Sequence, residues 1–241
     1  MGNKKKQRLK NSSIKKTPDT AEYIPRIKTS TLKDFESSLR AKLSPCKKYL
    51  EIIFLVLIIV LGIMFRLDDL NTWKQNRQRA FFNNEPIHTT FDAWFYLSLS
   101  KDILEKSYHK IDEKRGIPKS PERPSPPPLI SVAAALIAKY TNISLSWVGA
   151  LLPAILGPLL AIPIFLTGRF FGGPITGLTA ALISLLYPYY IHRSNIGRFD
   201  TDCMNVIFAT SAIYLFLRFG ICQNFKRYIY FLFGLIVFIL F

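Results

Sequence analysis

The sequence predicts an all-α polytopic membrane protein, and three observations lead to that fold class. Its apolar residues are gathered into blocks of 14 to 21 residues, more uniform than the core segments of a soluble domain. The formal net charge of +16 is concentrated before the first block, where residues 1–48 hold fourteen Lys and Arg against four Asp and Glu. Basic residues recur in short connections, at Arg169 and between Arg218 and Arg227, as is typical of cytoplasmic loops.

Residues 1–48 are predicted to form a disordered cytoplasmic tail whose positive charge fixes the orientation of the chain. The alternative for a basic segment that contains Ser and Thr is an arm that binds nucleic acid or ribosomes. A secretory signal peptide is not indicated, because the charged stretch is too long and no small-residue cleavage site follows Phe65. The three cysteines, Cys46, Cys203 and Cys222, imply neither a metal site nor a disulfide framework.

The transmembrane domain is predicted to occupy residues 49–241, and its spans follow from block length. Five spans are expected, at about 49–65, 147–167, 174–191, 203–221 and 228–241. A sixth apolar block, near 128–138, offers about 17 Å of helix against a hydrocarbon core of about 30 Å. We therefore expect this block to form a helix that lies on or dips into the outer surface without spanning.

The orientation of these spans decides which loops share a side of the membrane. With the basic tail inside, the chain leaves the cytoplasm after the first span, returns near Arg169, leaves again near His192 and returns near Arg218. The long loop at 66–146 and the short loop at 192–202 are then both external. Counting the block near 128–138 as a span would place them on opposite sides.

Two connections and the end of the chain have distinctive compositions. The stretch PKSPERPSPPP, at 118–128, predicts an extended polyproline-like spacer, and Gly172-Gly173-Pro174 predicts a tight inner turn. The last block supplies about 21 Å of helix, so a carboxylate after Phe241 would lie in hydrocarbon. The sequence is accordingly expected to be an incomplete part of a longer protein.

Acidic residues at the predicted outer surface are the candidates for chemistry. Asp200 and Asp202 lie at the mouth of the fourth span, and two carboxylates one residue apart suit a hard divalent cation such as Mg²⁺ or Mn²⁺. The structural alternative is that Asp202 caps the following helix while Asp200 is merely solvated. Asp92 begins an amphipathic segment, for which a helix N-cap at Thr90 or Asp92 is the alternative.

Two segments resemble the catalytic subunit of N-oligosaccharyltransferase, in the bacterial single-subunit form known as undecaprenyl-diphosphooligosaccharide-protein glycotransferase. They are FFNNEPIHTTFDAWFYLSLSKDI in the first external loop and HRSNIGRFDTD before the fourth span. In that family an aspartate of the first external loop matches Asp92, and an Asp-x-Asp motif matches Asp200 and Asp202. The resemblance covers roughly residues 50–241, and its specificity comes from both motifs standing at the expected topological positions.

The resemblance implies the N-terminal transmembrane part of a GT-C type glycosyltransferase. Such an enzyme moves an oligosaccharide from a polyprenyl diphosphate carrier to the asparagine of Asn-x-Ser/Thr in an acceptor polypeptide. It implies Mg²⁺ or Mn²⁺ as cofactor, with Asp92, Asp200 and Asp202 as the metal-binding and catalytic carboxylates. Asp92 would also touch the acceptor amide, Asp202 would support the metal site, and Arg193 would orient the acids. The expected location is the bacterial inner membrane, with the acidic site facing the periplasm.

The sequence also departs from that family, and other functions remain open. It contains no Trp-Trp-Asp-Tyr-Gly acceptor motif, no later loop with a catalytic glutamate and no soluble C-terminal domain, so residues 1–241 alone are expected to be inactive. A different polyprenyl-phosphate sugar transferase could use Asp68 and Asp69 as its base. A divalent-cation or lipid transporter is the alternative outside enzymes, and it would place acids within the spans.

Overall fold

The protein is described from a computed structural model, which covers residues 29–116 and 119–240, with side chains from Lys48 onward. Residues 46–241 form one compact unit, and before it only the helical backbone of residues 29–45 is described. Most of the described residues are helical, which confirms the predicted all-α class. The α-helices are α1 (Thr29–Leu67), α2 (Asp69–Gln75), α3 (Arg77–Ala80), α4 (Phe91–Leu104), α5 (Leu129–Thr141), α6 (Leu145–Leu156), α7 (Ala161–Leu186), α8 (Pro188–Arg193), α9 (Asp202–Ile221) and α10 (Lys226–Leu240).

Short elements complete the described chain. Single 3₁₀ turns lie at Glu113–Arg115 and Gly157–Leu160. A small antiparallel hairpin pairs β1 (Phe81–Phe82) with β2 (Glu85–Pro86). The hairpin turns through Asn83 and Asn84, which both have positive φ and are among the few residue types that adopt it readily.

The first helix begins earlier than the first predicted span. α1 starts at Thr29, although residues 1–48 were expected to be disordered, and residues 1–28 of that tail lie outside the described residues. Residues 32–43 are rich in Leu, Lys, Glu, Arg and Ala, which favour helix even where the sequence is polar. The charged residues before position 49 therefore show where the apolar block begins, but the helix itself begins earlier, at Thr29.

Within the part of the chain that the structure describes, three helical runs are long and apolar enough to cross a membrane: Lys48–Gln75, Leu145–Leu186 and Asp202–Ile221. The 42-residue run from Leu145 to Leu186 is not straight, because Gly173 has φ +83° and ψ −175°, outside the helical range. A Cβ on Gly168 would lie 2.9 Å from the Cα of Gly177, so the two halves fold back against each other. This run is therefore a helical hairpin that turns at Gly173, where the sequence predicts the inner turn.

Two shorter apolar helices flank these runs. α5 has 13 residues, about 20 Å, and is too short to cross hydrocarbon at that length. It packs its buried Ile130, Ala134 and Ala138 into the core that it shares with α4 and α6. α10 packs against α9, where Phe231 approaches Phe216 and Phe219 with ring centroids 6.4 Å and 5.1 Å apart.

The long connection between α4 and α5 is held by buried charges. Asp102 of α4 is 1% exposed and pairs with Arg123 at 2.7 Å, while Lys114 reaches Asp102 at 2.6 Å. Arg123 also pairs with Asp112 at 3.1 Å. Residues 119–128, the described part of the predicted spacer, contain no helix, and Glu122 forms a bridge with Ile111. The proline-rich stretch is thus tied to the end of α4.

Candidate active site

Three aspartates lie at one end of the helical core. Asp92 is in the first turn of α4, Asp200 is in the loop before α9, and Asp202 is the first residue of α9. Between them lies Phe199, which is fully buried against Ala93 and Cys203 in the core of α4, α5 and α6. Because Phe199 is embedded under α4, the loop before α9 delivers Asp200 next to the start of α4.

Asp92 remains free to bind a ligand. The hydroxyl of Thr90 accepts a hydrogen bond from the backbone N–H of Ala93 at 3.3 Å, so Thr90 is the N-cap of α4. The side chain of Asp92 is exposed and makes no hydrogen bond or ion pair with the described residues. A carboxylate in the first turn also benefits from the positive end of the helix dipole.

Asp200 is half-buried, and its own backbone neighbour holds it. Oδ1 of Asp200 accepts from the N–H of Thr201 at 2.6 Å and from the Thr201 hydroxyl at 3.4 Å. Burial raises the pKa of Asp200 above its usual value, and the negative charges of Asp202 and Asp92 raise it further. The negative charges of Asp92 and Asp202 thus act on Asp200, and a bound cation would relieve this repulsion.

Asp202 differs from the other two because it has a basic partner. Nη1 of Arg193 donates to Oδ2 of Asp202 at 3.1 Å, and Nη2 of Arg193 donates to the hydroxyl of Tyr189 at 3.1 Å. Thr201, not Asp202, occupies the N-cap position of α9, and it makes no side-chain cap bond. Arg193 thus lies where the sequence predicts an orienting residue, and it contacts one of the three acids.

Tyr96 also belongs to this cluster, although the sequence analysis missed it. Its ring meets Phe199 edge-on with centroids 6.5 Å apart. Burial raises the pKa of Tyr96, the proximity of Thr201 opposes this, and the charges of Asp200, Asp92 and Asp202 raise it again. Tyr96 stands four residues after Asp92 on α4, and that spacing puts both side chains on one helix face. This four-residue spacing could have identified Tyr96 from the sequence.

The donor set fits a hard divalent cation, but not through three carboxylates. No group of three His, Cys, Asp or Glu side chains within the described part of the chain is arranged to hold one metal ion. Asp202, predicted as a ligand, points to Arg193 instead. Asp92 and Asp200 have no basic partner among the described residues, and two carboxylates suffice for Mg²⁺ when water and phosphate complete its shell. The pair Asp92 and Asp200 therefore fits Mg²⁺ or Mn²⁺.

A groove of about 640 Å³ opens beside Asp92. Its walls combine aromatic, acidic and basic side chains from α4 and the following loop, including Phe95, Tyr96, Lys114 and Arg115. The guanidinium of Arg115 lies over the ring of Phe95, 4.7 Å from its centroid. Lys114 is paired with Asp102, so Arg115 is the basic side chain of this groove that could meet an anionic group of a substrate near Asp92.

Of the remaining candidates, Asp69 is engaged in a contact outside the aspartate cluster. The side-chain amide of Asn195 donates to Oδ2 of Asp69, so Asp69 helps to hold the loop before α9. Asp68 precedes α2 and makes no side-chain cap bond. His88 is 5% exposed and meets Trp94 edge-on at 5.4 Å, and burial lowers its pKa despite the nearby carbonyls of Gly197 and Ser146.

Comparisons with known proteins agree on one family. The family model described as oligosaccharyl transferase STT3, N-terminal, matches residues 51–241. Two similar proteins are undecaprenyl-diphosphooligosaccharide–protein glycotransferases of Campylobacter jejuni, from serotype O:2 and strain RM1221. They are 24% and 22% identical over 153 residues, which make up 64% of this chain and 20% of each relative. The chain thus spans about a fifth of the length of these relatives.

A solved structure is also similar to the described fold. It is the apo crystal structure of the oligosaccharyltransferase of Archaeoglobus fulgidus, which superposes with a TM-score of 0.66 at 20% sequence identity. The match covers 79% of this chain and 23% of the archaeal chain. At that identity the likeness extends to the fold.

Proposed function

Because the chain belongs to the oligosaccharyl transferase STT3 family, we propose that it forms the N-terminal membrane part of an enzyme of protein N-glycosylation. The chain is an integral membrane protein with the fold of the membrane part of a GT-C type transferase. The proposed reaction transfers an oligosaccharide from a polyprenyl diphosphate carrier to the asparagine amide of Asn-x-Ser/Thr. The observation that supports it is the contact between the segments that carry Asp92 and Asp200, which lie more than 100 residues apart in the chain and are joined by hydrogen bonds from Thr89 to Gly197.

In the proposed site Asp92 and Asp200 hold Mg²⁺ or Mn²⁺, and Arg193 fixes the direction of Asp202 beside them. The cation, when bound, supplies positive charge that stabilises the departing diphosphate. Asp202 supports the site electrostatically, since its Oδ2 is already paired with Arg193 at 3.1 Å. Arg115, in the groove beside Asp92, adds one positive charge on the same side.

The acceptor asparagine is the chemically difficult part of the reaction, because its amide nitrogen is a poor nucleophile. An amide nitrogen shares its lone pair with the carbonyl, and the resulting rotation barrier is about 18–20 kcal/mol for peptide amides. Asp92 is exposed and unpaired among the described residues, so it can accept an amide N–H and turn the group out of conjugation. The lone pair of the amide nitrogen then forms the bond to the sugar carbon. The bond between that carbon and the diphosphate oxygen breaks, with its electrons going to the diphosphate, and one amide proton passes by way of Asp92 to water.

The location follows from the charge pattern. The basic residues before the first span favour a cytoplasmic N-terminus, which puts Asp92 and Asp200 on the periplasmic side of a bacterial inner membrane. Cysteines introduced by Phe91→Cys and Arg198→Cys should both react with a membrane-impermeant maleimide added to the periplasmic side of cells. Labelling of the two positions from opposite sides would refute the arrangement.

The activity test uses the protein in the form its cell makes, purified with its membrane lipids. Incubation with lipid-linked oligosaccharide and a fluorescent Asn-x-Thr peptide should yield a glycopeptide, and Asp92→Asn or Asp200→Asn should abolish it. Asp68→Asn is the matched control and should retain transfer. Loss of activity in Asp68→Asn with retention in Asp92→Asn would favour the other sugar-transferase reading. Transport of cations without any transfer would favour a transporter.

A further inference from the structure

The two acidic segments are joined by direct contacts, and we propose that Thr89 and Gly197 form a clamp that sets the spacing between Asp92 and Asp200. Thr89 stands three residues before Asp92, and Gly197 stands three residues before Asp200. Both are positioning residues, since neither is one of the aspartates of the cluster and Gly197 acts through its backbone alone. The role assigned to this spacing rests on the proposed function.

The clamp consists of hydrogen bonds to one carbonyl. The carbonyl oxygen of Gly197 accepts from the backbone N–H of Thr89 at 3.2 Å and from the hydroxyl of Thr89 at 3.3 Å. On its other side, the N–H of Gly197 donates to the carbonyl of Ala150 in α6 at 2.9 Å. Gly197 therefore links the segment before α4 to α6 and to the loop before α9.

Only glycine fits the position at the centre of the clamp. Gly197 has φ +78°, a conformation that other residues adopt at a cost. A Cβ on Gly197 would also lie 2.7 Å and 2.8 Å from two ring carbons of Trp73, and 3.6 Å from Cγ2 of Thr89. The ring of Trp73 is itself fixed edge-on against Phe81, with centroids 6.2 Å apart. The loop is thus pressed between α2 and the segment that carries Thr89.

The loop that carries Gly197 is held by contacts on both sides of it. Before it, the N–H of Ile196 donates to the carbonyl of Arg66 at 3.4 Å, and Nε of the fully buried Arg66 donates to the hydroxyl of Ser194 at 2.8 Å. After it, Phe199 is fully buried under Tyr96. We therefore expect a displacement of Gly197 to displace Asp200 as well.

The spacing matters because a small divalent ion has strict demands on its ligands. Mg²⁺ requires near-octahedral geometry with oxygen ligands at about 2.0–2.1 Å. Two carboxylates from distant parts of a chain meet that demand only if their backbones are held at a fixed separation. The Thr89–Gly197 clamp is the contact of the described structure that ties those two backbones directly.

The test removes the clamp without touching the acids. Thr89→Val deletes the hydroxyl bond and keeps the shape, Thr89→Ser keeps the bond, and Gly197→Ala adds the clashing Cβ. Thr210→Val is the matched control, because that hydroxyl donates only within its own helix, to the carbonyls of Val206 and Ile207. Nitroxide labels introduced by Phe91→Cys and Arg198→Cys, in a background without other cysteines, report the separation by pulsed electron paramagnetic resonance.

The full protein should show a narrow distance distribution that broadens or shifts in Thr89→Val and Gly197→Ala and is unchanged in Thr89→Ser and Thr210→Val. In the glycan-transfer assay, the Mn²⁺ concentration for half-maximal rate should rise about fivefold in Thr89→Val, the effect of one lost hydrogen bond, with the peptide KM unchanged. Unaltered distances in both Thr89→Val and Gly197→Ala would overturn the clamp. A wild-type protein that neither transfers glycan nor binds Mn²⁺ would refute the proposed function, and the distance measurement would still decide the clamp.

Discussion

Arg193 shows what one side chain can contribute to the acidic site. Its guanidinium donates to Asp202 through one nitrogen and to the hydroxyl of Tyr189 through another, both at 3.1 Å. It also lies over the ring of Tyr189, 5.3 Å from the centroid. A planar fork with several donors can make these contacts together, whereas the single ammonium of lysine cannot. Arg193 therefore orients the carboxylate of Asp202 in addition to balancing its negative charge.

We expect Arg193→Lys to lower kcat/KM for the acceptor peptide about fivefold, because lysine cannot keep both the contact with Asp202 and the contact with Tyr189, and one lost hydrogen bond is worth about 1 kcal/mol. Charge is retained in this variant, so the loss reports geometry. Arg198→Lys is the control, because Arg198 contacts His192 and no aspartate. Equal activity of the Arg193→Lys protein and the wild type would show that Asp202 needs only a nearby positive charge.

The residues of the site differed in how far the sequence could predict them. Asp92, Asp200, Asp202 and Arg193 were predicted because they stand in two recognisable motifs. Thr89 and Gly197 carry no signal of their own, because their importance arises from a contact between positions 108 residues apart in the chain. The ligand role predicted for Asp202 stays a prediction, and spacing alone could not show that Arg193 pairs with its Oδ2.

At the scale of elements, the connection after α4 depends on a buried ion pair. Burial raises the pKa of Asp102, but the neighbouring Lys114 and Arg123 outweigh it and hold that pKa below its usual range. A lowered carboxyl pKa gives stability that is fully present above the unfolded value of about 3.9 and is lost as pH falls through the folded value. The connection should therefore loosen in acid.

We predict that Asp102→Asn destabilises the fold by about 1–3 kcal/mol, because it removes one of the two carboxylates that pair with the buried Arg123 and the partner of Lys114, while Arg123 keeps Asp112. Limited proteolysis between residues 105 and 127 should be fast for this variant at pH 7, and for the wild type only below about pH 4. Glu105→Gln is the control, since its pair with Lys101 is exposed and is worth about 0.2–1 kcal/mol. Slow cleavage of Asp102→Asn at neutral pH would contradict this account.

The helical hairpin of α7 depends on Gly168 and Gly177, which face each other across the turn. A Cβ on Gly177 would lie 2.6 Å from the carbonyl oxygen of Phe165 and 2.9 Å from the backbone N of Arg169. Backbone atoms cannot rotate away as a side chain can, so the two halves must separate to admit it.

We expect Gly177→Ala to lower the stability of the purified protein by about 1–3 kcal/mol, as overpacking does, measured by thermal unfolding in detergent. Gly220→Ala is the matched control, because its Cβ would meet nothing within 4 Å and alanine favours the helix by about 0.5–1 kcal/mol. The account fails if both variants are equally stable.

Elements could be predicted from the sequence where an apolar block or a turn motif indicates them. Gly172-Gly173-Pro174 predicted the hairpin turn, and the eleven-residue block predicted a short separate helix, now α5. The polar beginning of α1 was missed because amphipathic and charged residues form helix as readily as they form coil. Hydropathy indicates where a chain can enter lipid, which is a different question from where a helix begins.

For the whole molecule, the order of crossings decides whether the acids can meet. Asp92 follows one long apolar helix and Asp200 follows a helical hairpin, and the hairpin returns the chain to the end from which it entered. The short α5 adds no crossing at its length. This architecture brings two segments that are distant in sequence to one end of the core, and neither motif alone predicts that.

The central claim is that Asp92 and Asp200 share one divalent cation, and Mn²⁺ binding tests it most directly. Free Mn²⁺ is counted by electron paramagnetic resonance during titration of the wild type, Asp92→Asn, Asp200→Asn, the double variant and the control Asp68→Asn. We predict one bound ion in the wild type and in Asp68→Asn. Each single variant should lose at least about tenfold in affinity, and the double variant should lose less than the sum of the two free-energy changes because the residues act on one ion. Wild-type affinity in Asp92→Asn, or two additive losses, would contradict the shared site.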